Sequence, residues 1–70
     1  MKTFKDLEKG QEILLNDMSQ TEYAVVEMVK QSGVLVRWED GTTDDISINT
    51  NIEEVEHFDN FVCGFQVRKK

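Results

Sequence analysis

Short stretches of alternating apolar and polar residues run along this chain, and turn-forming residues separate them. Turn signals recur roughly every 8 to 12 residues, which is typical of a small all-β protein. We predict five strands. Four of them span residues 12–15, 22–29, 34–38 and 61–67, and the remaining one contains Ile46 and Ile48. The second strand carries apolar residues on both faces, as expected for a long, bent strand shared by two halves of a barrel.

The first residues predict one helical turn. Thr3 is a suitable N-cap, and Asp6 follows three residues later in the manner of a capping box. Phe4 and Leu7 then have the spacing to pack inward together. Gly10 is expected to end this segment, because glycine tolerates the positive φ that such an exit often needs.

The hairpin after Trp38 has two possible registers. A two-residue loop would place Ile46 and Ile48 on the face opposite Trp38, whereas a three-residue loop of Glu39, Asp40 and Gly41 pairs Val34 with Ile46. The second register puts the apolar residues of both strands on one face. Because a slip of one residue moves a whole apolar set to the wrong side, we predict the three-residue loop, with Gly41 left-handed.

The segment after this hairpin predicts a short helix or 3₁₀ turn over residues 52–57. Asn51 is a good N-cap and Glu54 sits three residues further on. Phe61, Cys63, Phe65 and Val67 then alternate along the last strand. This pattern makes Cys63 a small core residue. Gly64 within the strand suggests a bulge or a close backbone approach.

These elements predict one domain over residues 1–70: a five-stranded SH3-like small barrel with a short helical turn before the last strand. Over about residues 7–55 the chain resembles the Tudor-like members of the SH3-like barrel group. The motifs that carry this resemblance are Leu7-x-x-Gly10-x-x-Ile13, Tyr23-Ala24-Val25-Val26 and Val34-Leu35-Val36-Arg37-Trp38-Glu39-Asp40-Gly41. The resemblance implies a non-enzymatic binding module that reads peptides or proteins associated with nucleic acid.

Reader-type Tudor domains bind methylated Lys or Arg in an aromatic cage through cation–π attraction. This chain departs from that pattern, because residues 16–21 contain no aromatic residue. Tyr23 and Trp38 are the remaining candidates for a cage, and Trp38 falls on the face that we assign to the core. We therefore predict a packing role for Trp38.

Charge is distributed unevenly along the chain. The formal net charge is −6, from 14 acidic residues against 8 Lys and Arg. The segment from Glu39 to Asp59 contains 8 acidic residues and no Lys or Arg, while Arg68, Lys69 and Lys70 form a basic tail. An acidic field repels phosphate and attracts basic protein surfaces, so direct nucleic-acid binding is disfavoured. The same acids could also serve only to keep a small protein in solution.

Composition narrows the chemistry further. A chain of 70 residues has little room for a buried cofactor cleft or a catalytic pocket. With one cysteine it forms no internal disulfide and no cysteine-based zinc site. His57 lacks a nucleophile or pocket, and the acids around Gly41 do not match a calcium-loop motif. We expect no enzyme activity, no cofactor and no metal. No stretch predicts a membrane span or a signal peptide, so we expect a cytoplasmic protein.

The leading hypothesis is a small acidic protein that docks on a basic protein surface, such as that of a nucleic-acid-binding protein. An extension is an inhibitor that imitates nucleic-acid charge, of the kind that phages encode. The alternative is a Tudor-like module of nucleic-acid machinery, which binds a peptide or nucleic acid through aromatic residues and the basic tail. Monomer and edge-strand dimer both stay open. The predicted partner-binding residues are Glu39, Asp40, Asp44, Asp45, Glu53, Glu54 and Glu56.

Overall fold

The computed structural model describes residues 2–69, which fold into a curled, all-β half-barrel. One sheet contains all seven strands in the order β1-β6-β7-β2-β3-β4-β5. The strands are β1 (Lys2–Thr3), β2 (Glu12–Asn16), β3 (Thr21–Val29), β4 (Gly33–Trp38), β5 (Thr43–Ser47), β6 (Asn51–Val55) and β7 (Gly64–Arg68). A single 3₁₀ turn (Phe4–Asp6) follows β1. Within the described residues no helix is long and apolar enough to cross a membrane.

Neighbouring strands are antiparallel except β6 and β7, which are parallel. A register shift between Val26 and Met28 in β3 marks an irregularity of the kind that bends a strand. The curl brings the 3₁₀ turn against the chain that leaves β5. There the Lys5 N–H donates to the Ile48 carbonyl at 3.3 Å, and the Phe4 N–H donates to the Thr50 carbonyl at 3.0 Å.

The main core lies on the concave face of this sheet. Phe4 is fully buried, and its ring meets that of Phe65 edge to face with centroids 5.0 Å apart. Thr3 and Asp6 form the predicted capping box, and Gly10 has φ +92°, so the predicted first turn is confirmed. The buried cluster comprises Phe4, Leu7, Ile13, Ala24, Val26, Val34, Val36, Ile52 and Val67.

The β4–β5 hairpin has the predicted register. Val34 pairs with Ile46, the Trp38 N–H donates to the Thr42 carbonyl at 2.8 Å, and Gly41 has φ +90°. Trp38 is partly buried and packs against the core, in agreement with the packing role predicted for it. Burial of the shared apolar face therefore selected the three-residue loop, as the sequence indicated.

The predictions of five strands and of a helical turn over residues 52–57 were wrong. Residues 51–55 form β6, in which Ile52 pairs with Lys2 of β1 and Glu53 pairs with Gln66 of β7. Asn51 is accordingly a strand residue opposite Thr3 and not a helix cap. Two strands from distant parts of the chain satisfy the backbone groups of this segment, and such pairing outweighs a local capping preference.

The last strand begins three residues later than predicted, at Gly64, where φ is +105°. Phe61 is 97% exposed and Cys63 is exposed, so the prediction that Cys63 is a core residue was wrong. These residues belong to the connection 56–63, which lies over the convex face of β2 and β7. The amides of Asn16 and Gln66 hold it there through bonds to Asp59, Asn60 and Val62.

Candidate functional site

The hairpin turn presents the first group of predicted site residues. Glu39 and Asp40 occupy the three-residue loop, where the Asp40 carboxylate accepts the Thr42 N–H at 2.9 Å and the Thr42 hydroxyl at 2.6 Å. These two bonds, the one from the hydroxyl above all, lower the pKa of Asp40 below its usual value of 3.8. Asp40 therefore keeps its negative charge over the whole neutral and mildly acidic range.

Asp44 and Asp45 are neighbours in β5 and point to opposite faces of the sheet. Asp44 lies on the face of Trp38 and accepts the indole Nε1–H at 2.8 Å. Asp45 lies on the convex face, where one of its oxygens is 2.6 Å from Lys30 Nζ. Trp38 supplies Asp44 with a hydrogen bond but no positive charge, whereas Asp45 has a cation partner in Lys30 and both side chains of that pair stay partly exposed.

The second group of predicted site residues lies on and just after β6. Glu54 is 2.6 Å from Lys2 Nζ, and the hydrogen bond from that lysine is the main reason why the pKa of Glu54 falls below its usual 4.5. Glu53 and Glu56 are exposed, and neither forms a side-chain hydrogen bond or an ion pair with any residue in the range 2–69.

The structure thus places the seven predicted residues in two groups. In the sheet order β5 is at one end and β6 is next to the other end, and only the short turn after Ser47 connects them along the chain. Two members of the set, Asp45 and Glu54, have a cation partner among the described residues. The other five, which have no such partner within residues 2–69, are Glu39, Asp40, Asp44, Glu53 and Glu56.

These carboxylates are spread over two parts of the sheet and do not converge on one point within residues 2–69. In the part of the chain that the structure describes, no three His, Cys, Asp or Glu side chains converge closely enough to hold a metal ion. The largest extent of the molecule is 31 Å. The Debye length at physiological salt is about 8 Å, well below this extent, so each acidic group attracts mainly the charges that lie close to it.

The basic tail is partly held against the sheet. Arg68 lies 3.7 Å from a carboxylate oxygen of Glu12, and the Lys69 N–H donates to the Val55 carbonyl at 2.9 Å. Lys70, the last residue predicted for this tail, lies outside the described residues. Arg68 and Lys69 therefore extend the pairing of β6 and β7 and do not form a separate arm.

The sequence analysis named Tyr23 and Trp38 as candidates for an aromatic cage, but it predicted neither of two exposed apolar features. Met18 and Phe61 sit on two loops that the Asn16 side chain joins, and they are 87% and 97% exposed. Tyr23 and Val25 line an open depression of about 370 Å³ on β3, together with Trp38. The polar residues around Phe61 and Met18 gave a turn signal in the sequence, but alternation had assigned Phe61 to a strand.

Comparison of the chain with protein-family models finds no match, and neither does comparison with curated protein sequences or with solved structures.

Proposed function

We propose that this protein is a small acidic binding protein that docks on a basic protein surface. One observation carries the proposal. Six of the eight carboxylates in the segment 39–59, five of them predicted site residues, have no cation partner among residues 2–69, and that segment contains no Lys or Arg of its own. Unneutralised charge of one sign steers a partner of opposite charge and speeds its association.

The same charge pattern supports the extension to an inhibitor. A surface with fixed carboxylates carries the same negative charge as the phosphates that bind in the groove of a nucleic-acid-binding enzyme. The partner is then the basic groove of such an enzyme, and this protein competes with the nucleic acid for it, as phage-encoded inhibitors of host defence do. Direct binding of this protein to nucleic acid stays disfavoured for the same electrostatic reason.

The curled sheet and the Val34–Gly41 hairpin also support a finer description of the fold. We propose that the half-barrel is of the SH3-like, Tudor-like type, in which a bent strand and a hairpin wrap around one small core. The irregularity at β3 and the backbone bonds between the 3₁₀ turn and residues 48–50 support this description. An experimental structure whose strand order differs from the one given above would contradict it.

Charge reversal with a matched control tests the function. Glu39→Lys and Glu53→Lys each change an exposed side chain that forms no hydrogen bond or ion pair with residues 2–69, and Glu8→Lys does the same outside the acidic segment. Each substitution adds two charges, so all three variants go from −6 to −4. A protein captured at low salt from the cells that make this chain is then purified, and its dissociation constant is measured for every variant.

We expect the site variants to bind about fivefold more weakly and Glu8→Lys to bind like the wild type. We also expect the association rate to fall between about 50 mM and about 500 mM salt, because screening suppresses electrostatic steering. Equal effects of the three variants, or an association rate that does not respond to salt, would contradict the proposal.

The alternative function is supported by the depression that Tyr23 and Trp38 line together with Glu12 and Glu39. Aromatic rings beside carboxylates suit a cationic peptide side chain, as expected of a Tudor-like module in nucleic-acid machinery. In that case Tyr23→Ala abolishes binding, while Glu53→Lys and salt have little effect. The two proposed functions therefore predict opposite orders of binding affinity for Tyr23→Ala and Glu53→Lys.

A further inference from the structure

Strand β5 is an end of the sheet and has an open side. It pairs with β4 alone, and within residues 2–69 no strand lies along its other side. The bond between the Lys5 N–H and the Ile48 carbonyl comes only after the strand has ended. An open strand edge presents backbone donors and acceptors in the spacing that a further strand needs.

The register shows which groups these are. The Trp38 N–H donates to Thr42, and hydrogen-bonded pairs alternate along an antiparallel ladder, so Asp44 and Ile46 also bond to β4. Thr43, Asp45 and Ser47 therefore direct their N–H groups away from β4. No hydrogen bond from these three N–H groups to another described residue exists outside the sheet ladder.

We propose that an extended segment of the basic partner adds to β5 as a further strand. This inference rests on the proposed function and gives it a binding mode. The backbone of β5 supplies the hydrogen bonds, and its side chains select the occupant. Asp44 has no cation partner within residues 2–69, and Asp45 lies on the opposite face in an exposed pair with Lys30. The matching segment therefore carries one cationic residue beside Asp44 and an adjacent one that shares the Asp45 carboxylate with Lys30.

A second copy of this chain suits the edge poorly. Antiparallel pairing of β5 with itself, centred on Asp45 or on Asp44, places two identical carboxylates directly opposite one another. Parallel pairing in register does the same. Like charges directly opposite are destabilising, so the composition of the edge favours a basic strand over self-association.

The probe is a short, capped, valine-rich peptide with a central Lys-Arg pair. Its matched control has the same sequence but is N-methylated at every central residue, which removes the donors of both peptide edges and keeps the charge. Binding to the full chain is followed by amide NMR signals and by hydrogen exchange. We expect the probe to shift the amides of Thr43, Asp45 and Ser47 and to slow their exchange about tenfold, and the N-methylated peptide to bind about tenfold more weakly.

A pair of protein variants makes the same test by changing the protein and not the peptide. Thr43→Pro removes a donor that points away from β4, so the hairpin keeps its own hydrogen bonds, while Thr43→Val keeps the donor. We expect the probe to bind Thr43→Val normally and Thr43→Pro about tenfold more weakly. The amide spectrum outside β5 checks that both variants are folded.

Three other outcomes of these experiments would contradict the proposal. If both peptides bind alike, or if the shifts lie away from β5, strand addition is wrong while attraction by the acidic surface stands. If neither peptide binds at low salt, strand addition and the proposed function both fail. Concentration-dependent sedimentation of the wild-type chain that Thr43→Pro abolishes would identify a second copy as the occupant and overturn the choice of a basic strand.

Discussion

The buried amide of Gln66 offers the sharpest test of how this small domain is held together. The side chain is 1% exposed. Its Oε1 accepts the Asp59 N–H at 2.9 Å, its Nε2 donates to the Asp59 carbonyl at 2.8 Å, and a longer bond of 3.4 Å reaches the Val62 carbonyl. Gln66→Met keeps the length and most of the volume of the side chain but removes every one of these bonds.

The magnitude follows from the two short bonds. Each contributes about 1 kcal/mol net, so we expect Gln66→Met to lower the free energy of unfolding by about 2 kcal/mol. The total free energy of unfolding of a chain of this size is roughly 4–10 kcal/mol. The corresponding fall in melting temperature is about 8–16 °C. The loss is larger if lifting of the connection 56–63 also exposes Leu14, which is fully buried in the structure.

Urea unfolding followed by the fluorescence of Trp38 measures the free energy, and hydrogen exchange of residues 56–63 reports the loop. Gln31→Met is the matched control, since Gln31 is exposed and its side chain makes no hydrogen bond to a described residue. We expect the control to stay within about 0.5 kcal/mol of the wild type. A Gln66→Met protein as stable as the control, with unchanged loop protection, would show that the amide does not hold the loop.

Three further substitutions test other contacts. Trp38→Phe removes the indole bond to Asp44 and should cost about 1 kcal/mol in urea unfolding, followed by circular dichroism because Trp38 is the only tryptophan. Gly41→Ala should cost roughly 1–2 kcal/mol in the same assay, since φ is +90° there and no atom crowds the added methyl group. The pKa of Glu54 is lowered in the folded protein, so the stability that its pair with Lys2 contributes is complete above pH 4.5 and is lost as the pH falls further. Lys2→Met should therefore weaken the dependence of the melting temperature on pH in the acidic range. An unchanged dependence would contradict the role given to this pair.

The local parts of the fold could be predicted from the sequence. The Asp-Gly turn and the apolar faces of two short strands determined the register of the β4–β5 hairpin, because only one loop length buries Val34 and Ile46 together. The capping pair and Gly10 determined the first turn in the same way. These features depend on residues close together in the chain, so the pattern contains all the information needed.

The long-range parts could not be predicted. Residues 51–55 carry a capping signal, yet they form β6 because β1 and β7 lie on either side of them. The connection 56–63 follows the convex face because two polar residues, Asn16 and Gln66, are buried there, and no rule of alternation predicts a buried amide. For the candidate site, the sequence identified the acidic residues but not which of them form ion pairs. Lys2 and Lys30, the two cation partners, lie far along the chain from Glu54 and Asp45.

The position of β7 has a consequence for the order in which the sheet assembles. β7 alone joins the β1–β6 pair to the β2–β5 meander, although it comes last among the strands along the chain. The strands of the meander can pair early in folding because short turns connect them. The β1–β6 ladder forms later, because it requires closure of a loop that spans most of the chain. A growing polypeptide that has not yet reached Gly64 therefore exposes two unfinished edges, and completion of the half-barrel belongs to the final moments of folding.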